Sequence, residues 1–191
     1  MTIYDQNVAK IKDMLPNCEA RVLAFMSACA SEGIYFVIVE AYRPQERQNR
    51  LFTQGRSFED IQSLYNARQI SYTQFESLKR LYDAKKNLHG SRVTWTLNSE
   101  HTKGKAFDIE PIINGIETQK SRKQALDIIA RIGSRFGVER PARTYALGDY
   151  GHFEVYDLPI PEKKVTDPNN IHVKMAEVRR LARQQKNMVA S

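Results

Sequence analysis

Ser99-Glu100-His101-Thr102-Lys103-Gly104-Lys105-Ala106-Phe107-Asp108 decides how the chain must fold around its chemistry. The run 106–110 alternates, and successive side chains of a strand point to opposite faces. Asp108 and Glu110 therefore share one face while Phe107 and Ile109 turn to the other, the core. Asp108 then points into a cleft. Gly104 has no Cβ and so permits a sharp turn, which can bring His101 back beside Asp108 although the two are seven residues apart.

A second stretch, Asp149-Tyr150-Gly151-His152-Phe153-Glu154-Val155, follows the same logic. Phe153 and Val155 take the core-facing parity, so His152 and Glu154 face the cleft as Asp108 does. Two imidazoles and a carboxylate meeting in one cleft suit zinc, whose catalytic sites typically keep three protein ligands and leave one position open for water.

Outward from these two stretches, residues 18–31 read as a helix with Asn17 as N-cap and Gly33 as its stop, because Val22, Phe25, Met26 and Cys29 recur at helical spacing. The unbroken apolar run 34–39 predicts a strand covered on both faces. Pro44 suits a first helical position and Gly55 a C′ position, bracketing a helix that begins just after Arg43. Ser57 with Asp60, and Ser71 with Gln74, have the spacing of capping boxes, predicting helices over 58–68 and 72–87. Strands are expected at 92–96, 106–110 and 152–156. A helix over 122–136 should turn Ala125, Ile128, Ile129 and Ile132 inward. Together these elements predict an α+β fold: a small, mainly antiparallel sheet flanked by helices, with a helical insert at about 57–88 and a C-terminal helix. The domain is expected to span 1–158. A Pro-containing linker and a basic helix over 171–186 make up 159–191.

With 191 residues, 41% of them hydrophobic, one domain with a tail is expected. No apolar run approaches the roughly 18 residues of a membrane span. The first fifteen residues lack the apolar core of a secretory signal, so the protein is expected to be made and kept in the cytoplasm and to need a separate route to any target outside. Cys18 and Cys29 fall on one helix about 16 Å apart, beyond disulfide reach, and are expected as buried thiols. The net charge is +7, and within 163–191 seven basic residues against two acidic ones leave +5. Charge alone selects no partner. In the tail, Ile171, Met175, Val178 and Ala182 form an apolar stripe among basic residues, so this helix either packs on the domain or docks on anionic wall polymer or membrane. No nucleic-acid motif accompanies the charge, and neither nucleic-acid binding nor an oligomer is expected.

The string S-x-H-x-x-G-x-A-x-D followed by D-x-x-H resembles the metal-binding signature of the superfamily of D-alanyl-D-alanine carboxypeptidases and L-alanyl-D-glutamate endopeptidases, zinc peptidases of peptidoglycan. Tyr42-Arg43-Pro44-Gln45-Glu46-Arg47-Gln48, then Leu51-Phe52 and Gln54-Gly55-Arg56, looks like a segment of the endopeptidase branch found in phage endolysins. The resemblance spans about 34–156 and leaves out the insert and the tail. Asp149 stands where carboxypeptidase relatives often carry Glu, which favours the endopeptidase branch.

The resemblance implies a fold like that of the hedgehog domains and D,D-peptidases. It implies His101, Asp108 and His152 as zinc ligands and Asp149 as catalytic base. Arg43 would stabilise a substrate carboxylate or the developing oxyanion, through a forked geometry Lys lacks. Arg43, Gln48 and Ser99 are expected at the substrate, with Ser99 either orienting His101 or capping the turn before it. The activity implied is hydrolysis of the L-Ala-D-Glu bond of the peptidoglycan stem peptide by an antimicrobial, phage-type endolysin in host cell lysis. The alternatives are a D,D- or L,D-carboxypeptidase with the same metal site, and a catalytically silent zinc-binding module, against which the presence of Asp149 speaks. Outside the motifs, His89 and His172 are expected in solvent, Trp95 in the core, and Glu154 without an assigned role.

Overall fold

The computed structural model describes residues 2–112 and 119–156, and the linker and C-terminal helix expected beyond 157 lie outside them. The described chain falls into two compact units, one made by residues up to Tyr42 with those from Lys103 on, the other by Arg43–Thr102.

The first unit opens with helix α1 (Ile3–Ile11), started by a capping box between Thr2 and Asp5. Helix α2 (Pro16–Ser31) follows, and its N-cap is Leu15 rather than Asn17. Pro16 occupies the first turn, where its missing N–H costs nothing, and Asn17 instead accepts from the N–H of Cys18 at 2.9 Å. Strand β1 (Tyr35–Glu40) runs antiparallel to β2 (Ala106–Ile112), which pairs antiparallel with β4 (His152–Val155), itself antiparallel to β3 (Val138–Glu139). The sheet order is β1-β2-β4-β3. This α+β arrangement with a small antiparallel sheet is the one expected.

Strand β1 is covered on one face only. Phe36 and Ile38 are buried, but Val39 is 51% exposed, so the continuous apolar run does not mark a strand sandwiched on both sides. Its edge is closed from α1. The buried Asn7 carboxamide donates to the Phe36 carbonyl at 2.9 Å and accepts from the Ile38 N–H at 2.8 Å, meeting polar groups that a bare edge would leave open.

The core lies between α2 and the sheet. Phe25 stacks on Phe36 with ring centroids 5.3 Å apart and lies 6.2 Å from Phe107 and 6.3 Å from Phe153, and the last two stack across strands β2 and β4 at 5.9 Å. Because these rings fill one face of the sheet, the intervening residues of β2 and β4 are forced to the other. Phe25→Ala should cost about 3–5 kcal/mol through lost burial and an incompletely collapsed cavity. Urea denaturation reads this as a lower midpoint at unchanged slope. A loss below about 1 kcal/mol would mean that other side chains hold the sheet on α2.

Helix α6 (Gln119–Gly133) turns Leu126, Ile129 and Ile132 inward, leaves Ala125 at the margin and Ile128 exposed, and continues as a 3₁₀ turn over Ser134–Phe136. The inward stripe is thus rotated from the one expected. Helix α7 (Ala142–Ala146) precedes β4.

Cys18 and Cys29 are both buried and free. Burial, with a smaller push from Glu32, raises the Cys29 thiol from its ordinary 9.0 to about 12. An unfolded chain releases this proton near pH 9 whereas the folded one keeps it, so stability contributed by the protonated thiol is present below pH 9 and lost as pH rises from 9 towards 12. At pH 8 Cys29 should resist iodoacetamide in the folded protein and react once urea unfolds it, as mass spectrometry of the alkylated peptides would register. Equal labelling in both states would contradict the burial.

The second unit holds helices α3 (Gln45–Thr53), α4 (Phe58–Asn66) and α5 (Tyr72–Asp83) around Phe52, Ile61, Phe75 and Leu78. Both expected capping boxes form, Ser57 with Asp60 and Ser71 with Gln74. The two helices end earlier than expected. Arg68 and Lys85 take left-handed φ values of 56° and 54°. The next residues close each end, Gln69 N–H bonding to Leu64 O at 2.9 Å and Lys86 N–H to Leu81 O at 2.7 Å.

Residues 92–96 do not form a strand. The Thr96 carbonyl accepts from Gln48 and Thr94, and the Thr96 hydroxyl takes the Asn98 N–H, so local side chains occupy groups a ladder would have used. Trp95 is 66% exposed and not part of the core, with the Arg92 guanidinium 5.5 Å from its ring centroid. His89 is exposed, as expected. Among the described residues no helix is long and apolar enough to cross a membrane.

Candidate metal centre

Strand parity acts as expected on β2 and β4. Phe107 and Ile109 are buried in the core while Asp108 opens to the other face, and in register Asp108 lies opposite His152 and Ala106 opposite Glu154. Glu110 is exposed and held away from Asp108 by a forked ion pair with Arg122 of α6, at 2.6 and 2.8 Å.

Two glycines shape the approaches. Gly104 sits at φ +67° and its carbonyl accepts from the Leu15 N–H at 3.1 Å, anchoring the turn that leads into β2. A Cβ there would meet Leu15 N at 3.0 Å, and the left-handed φ is one that L side chains avoid. At Gly151 a Cβ would come within 2.7 Å of the Ile109 carbonyl, so only glycine lets the chain pass this close to β2 just before His152.

His101 lies in a 3₁₀ turn, Glu100–Lys103, and is buried. Ser99 caps this turn: its hydroxyl accepts from the His101 N–H at 3.3 Å, and its carbonyl accepts from the N–H and hydroxyl of Thr102. Of the two roles weighed for Ser99, capping is the one its contacts display, and through the backbone it also fixes His101. The His101 carbonyl in turn accepts from the Arg43 N–H at 3.1 Å.

One ligand atom each from His101, Asp108 and His152 lie within 4.8 Å of one another. Tetrahedral zinc with bonds near 2.0–2.1 Å needs its ligands about 3.4 Å apart, within the range this grouping spans. The donor set fits: two imidazoles, which bind a metal in their neutral form, and one carboxylate. Metal binding of this kind is what the trio can do.

His152 Nδ1 stands 3.0 Å from Asp108 Oδ1 and its Nε2 3.2 Å from Glu154 Oε1. Burial alone would lower the His152 pKa, but the bonds to Asp108 and Glu154 and the charges of Asp108 and Asp149 together raise it to about 9. Glu154 is buried as well. Burial would raise its pKa, and the bonds from His152 and Tyr156 with the charge of Arg143 hold it down at about 2, firmly ionised. Asp149 is exposed, stands outside the ligand group, and has its backbone fixed by a bond from its N–H to the Thr144 carbonyl at 3.0 Å.

Gln48, expected at the substrate, makes its contacts within the protein. It is fully buried, its carboxamide oxygen accepting from Arg43 at 2.6 Å and its nitrogen donating to Thr94 Oγ1 and the Thr96 carbonyl. Its carboxamide oxygen thereby steadies the Arg43 guanidinium. The contacts of Glu154 with Arg143 and Tyr156 were not foreseen. Parity alone put Glu154 beside His152, and no sequence signal tied it to Arg143.

A His-Asp-His trio of this kind could hold a catalytic metal, as the sites of metal-dependent hydrolases do. Within that class the chain belongs to the VanY family, D-alanyl-D-alanine carboxypeptidase, whose model matches residues 12–146, and it is thereby a peptidase of peptidoglycan. The matched span includes Arg43, His101 and Asp108, and Asp149 and His152 follow it. None of the curated proteins matches the chain.

Similar solved structures include a mutant of the vancomycin resistance D,D-pentapeptidase VanY from a VanB-type resistance cassette in complex with Zn(II), at 19% identity over 77% of this chain and 74% of that one, TM-score 0.40. The Serratia marcescens L-Ala D-Glu endopeptidase ChiX is similar at 16% identity over 79% and 86%, TM-score 0.45. The LD-carboxypeptidase LdcB is similar at 17% over 85% and 68%, TM-score 0.46.

Proposed function

We propose that the protein is a zinc endopeptidase that hydrolyses the L-Ala-D-Glu bond of the peptidoglycan stem peptide, with His101, Asp108 and His152 as ligands. The convergence of that trio with an exposed Asp149 outside it is the observation that carries the reading. Bound zinc would make a water acidic and polarise the scissile carbonyl. Asp149 takes the proton of the attacking water and delivers it to the leaving amine. Arg43, steadied by Gln48, holds a substrate carboxylate or the developing oxyanion.

The L-Ala-D-Glu bond is favoured by Asp149 in place of Glu and by the stretch from Arg43 to Arg56, and both suit a phage-type endolysin that waits in the host cytoplasm for release onto the wall. A D,D-carboxypeptidase is the second reading, favoured by the family model that matches the chain. Mass spectrometry of purified peptidoglycan after digestion distinguishes them. New N-terminal D-Glu supports the endopeptidase, released D-Ala supports the carboxypeptidase, and intact stems would refute both.

A further inference from the structure

We infer that Glu154 is a positioning residue for the metal site, holding the His152 ring so that Nδ1, not Nε2, faces the cation. The inference rests on the metal reading above and adds a residue to it. His152 Nδ1 is the nitrogen beside Asp108, itself a member of the ligand group, whereas Nε2 is turned to Glu154. A neutral imidazole carries one N–H. With a Glu154 oxygen 3.2 Å from Nε2, a neutral ring that gives its N–H to Glu154 keeps the Nδ1 lone pair on the Asp108 side.

Glu154 is itself locked. Its Oε2 accepts from the Tyr156 hydroxyl at 2.7 Å, its Oε1 pairs with Arg143, and its side chain is almost wholly buried. Set on the same strand face two residues after His152, it approaches the ring from the nitrogen opposite Asp108. That placement makes it an orienting partner of a ligand and not a fourth ligand, the carboxylate-histidine-metal relay that tunes many such sites.

Glu154→Ala should weaken zinc binding about 10- to 100-fold, measured by competition with a chromophoric chelator. Glu154→Gln keeps an oxygen able to accept the Nε2 N–H and should recover most of that loss. In wild-type protein carrying ¹⁵N-labelled histidine and loaded with zinc, NMR should show His152 protonated on Nε2. Zinc affinity of Glu154→Ala within twofold of wild type, or a proton on Nδ1 in the zinc-loaded protein, would overturn the inference while leaving the zinc site standing. A wild-type protein that takes up no zinc would overturn both. If the Ala variant fails to fold, the Gln variant and the wild-type spectrum still decide: a proton on Nδ1 refutes, and one on Nε2 with near-wild-type affinity in the Gln variant supports.

Discussion

Asp149→Ala is expected to lose about 100- to 10,000-fold in turnover on peptidoglycan, the usual cost of removing a general base, while keeping its zinc and its melting temperature. The division follows from where the residue sits. Asp149 is exposed, so its carboxylate buries no surface whose loss would unfold the chain, and it stands outside the trio whose atoms converge. Its backbone stays in place through the bond to Thr144, which a side-chain substitution leaves intact. The charge of Asp149 nevertheless reaches His152 and helps to raise its pKa. Near-normal turnover in a folded Asp149→Ala protein would assign the proton transfer to another group. Zinc lost together with activity would make Asp149 a ligand.

His101→Ala and His152→Ala should each abolish stoichiometric zinc, with activity falling to background. Removing one of three ligands leaves two donors and a hole, too few for a tight catalytic site. The two variants should differ in stability. His152 lies in β4 with bonds to Asp108 and Glu154, and its loss leaves the buried, ionised Glu154 with one partner fewer, which costs about 1–3 kcal/mol. His101 lies in a turn held by its backbone bonds to Ser99 and Arg43, which alanine preserves. Metal analysis by mass spectrometry and thermal melting read both effects. Zinc retained at full occupancy in either variant would remove that histidine from the ligand set.

Much of the site could be read from residues 99–110 and 149–155, because strand parity is a rigid rule: once Phe107 and Phe153 are core, Asp108 and His152 must face the other way. Helix starts in the second unit were equally legible, since a capping box is spelled in four adjacent residues. Their ends were not. Arg68 and Lys85 take the left-handed turn that glycine usually marks, so nothing in the sequence announces the stop. Helix α1 carries its own signal in the capping box of Thr2 and Asp5. The two-residue β3 is too short to show any period. At 92–96 β-forming residues pointed to a strand, and side-chain bonds from Gln48 and Thr94 claimed the backbone instead. Gln48 itself shows the limit of reading a site by position. It lies within the motif, and only the fold reveals that its carboxamide bonds Arg43, the Thr94 hydroxyl and the Thr96 carbonyl.

Zinc dependence of peptidoglycan cleavage tests the account most directly. Protein stripped with a chelator and dialysed should release no fragments from purified peptidoglycan, and one equivalent of zinc should restore cleavage to the level of the untreated enzyme. Undiminished cleavage by protein shown to be metal-free would contradict the account, because the trio of His101, Asp108 and His152 would then serve no chemical purpose.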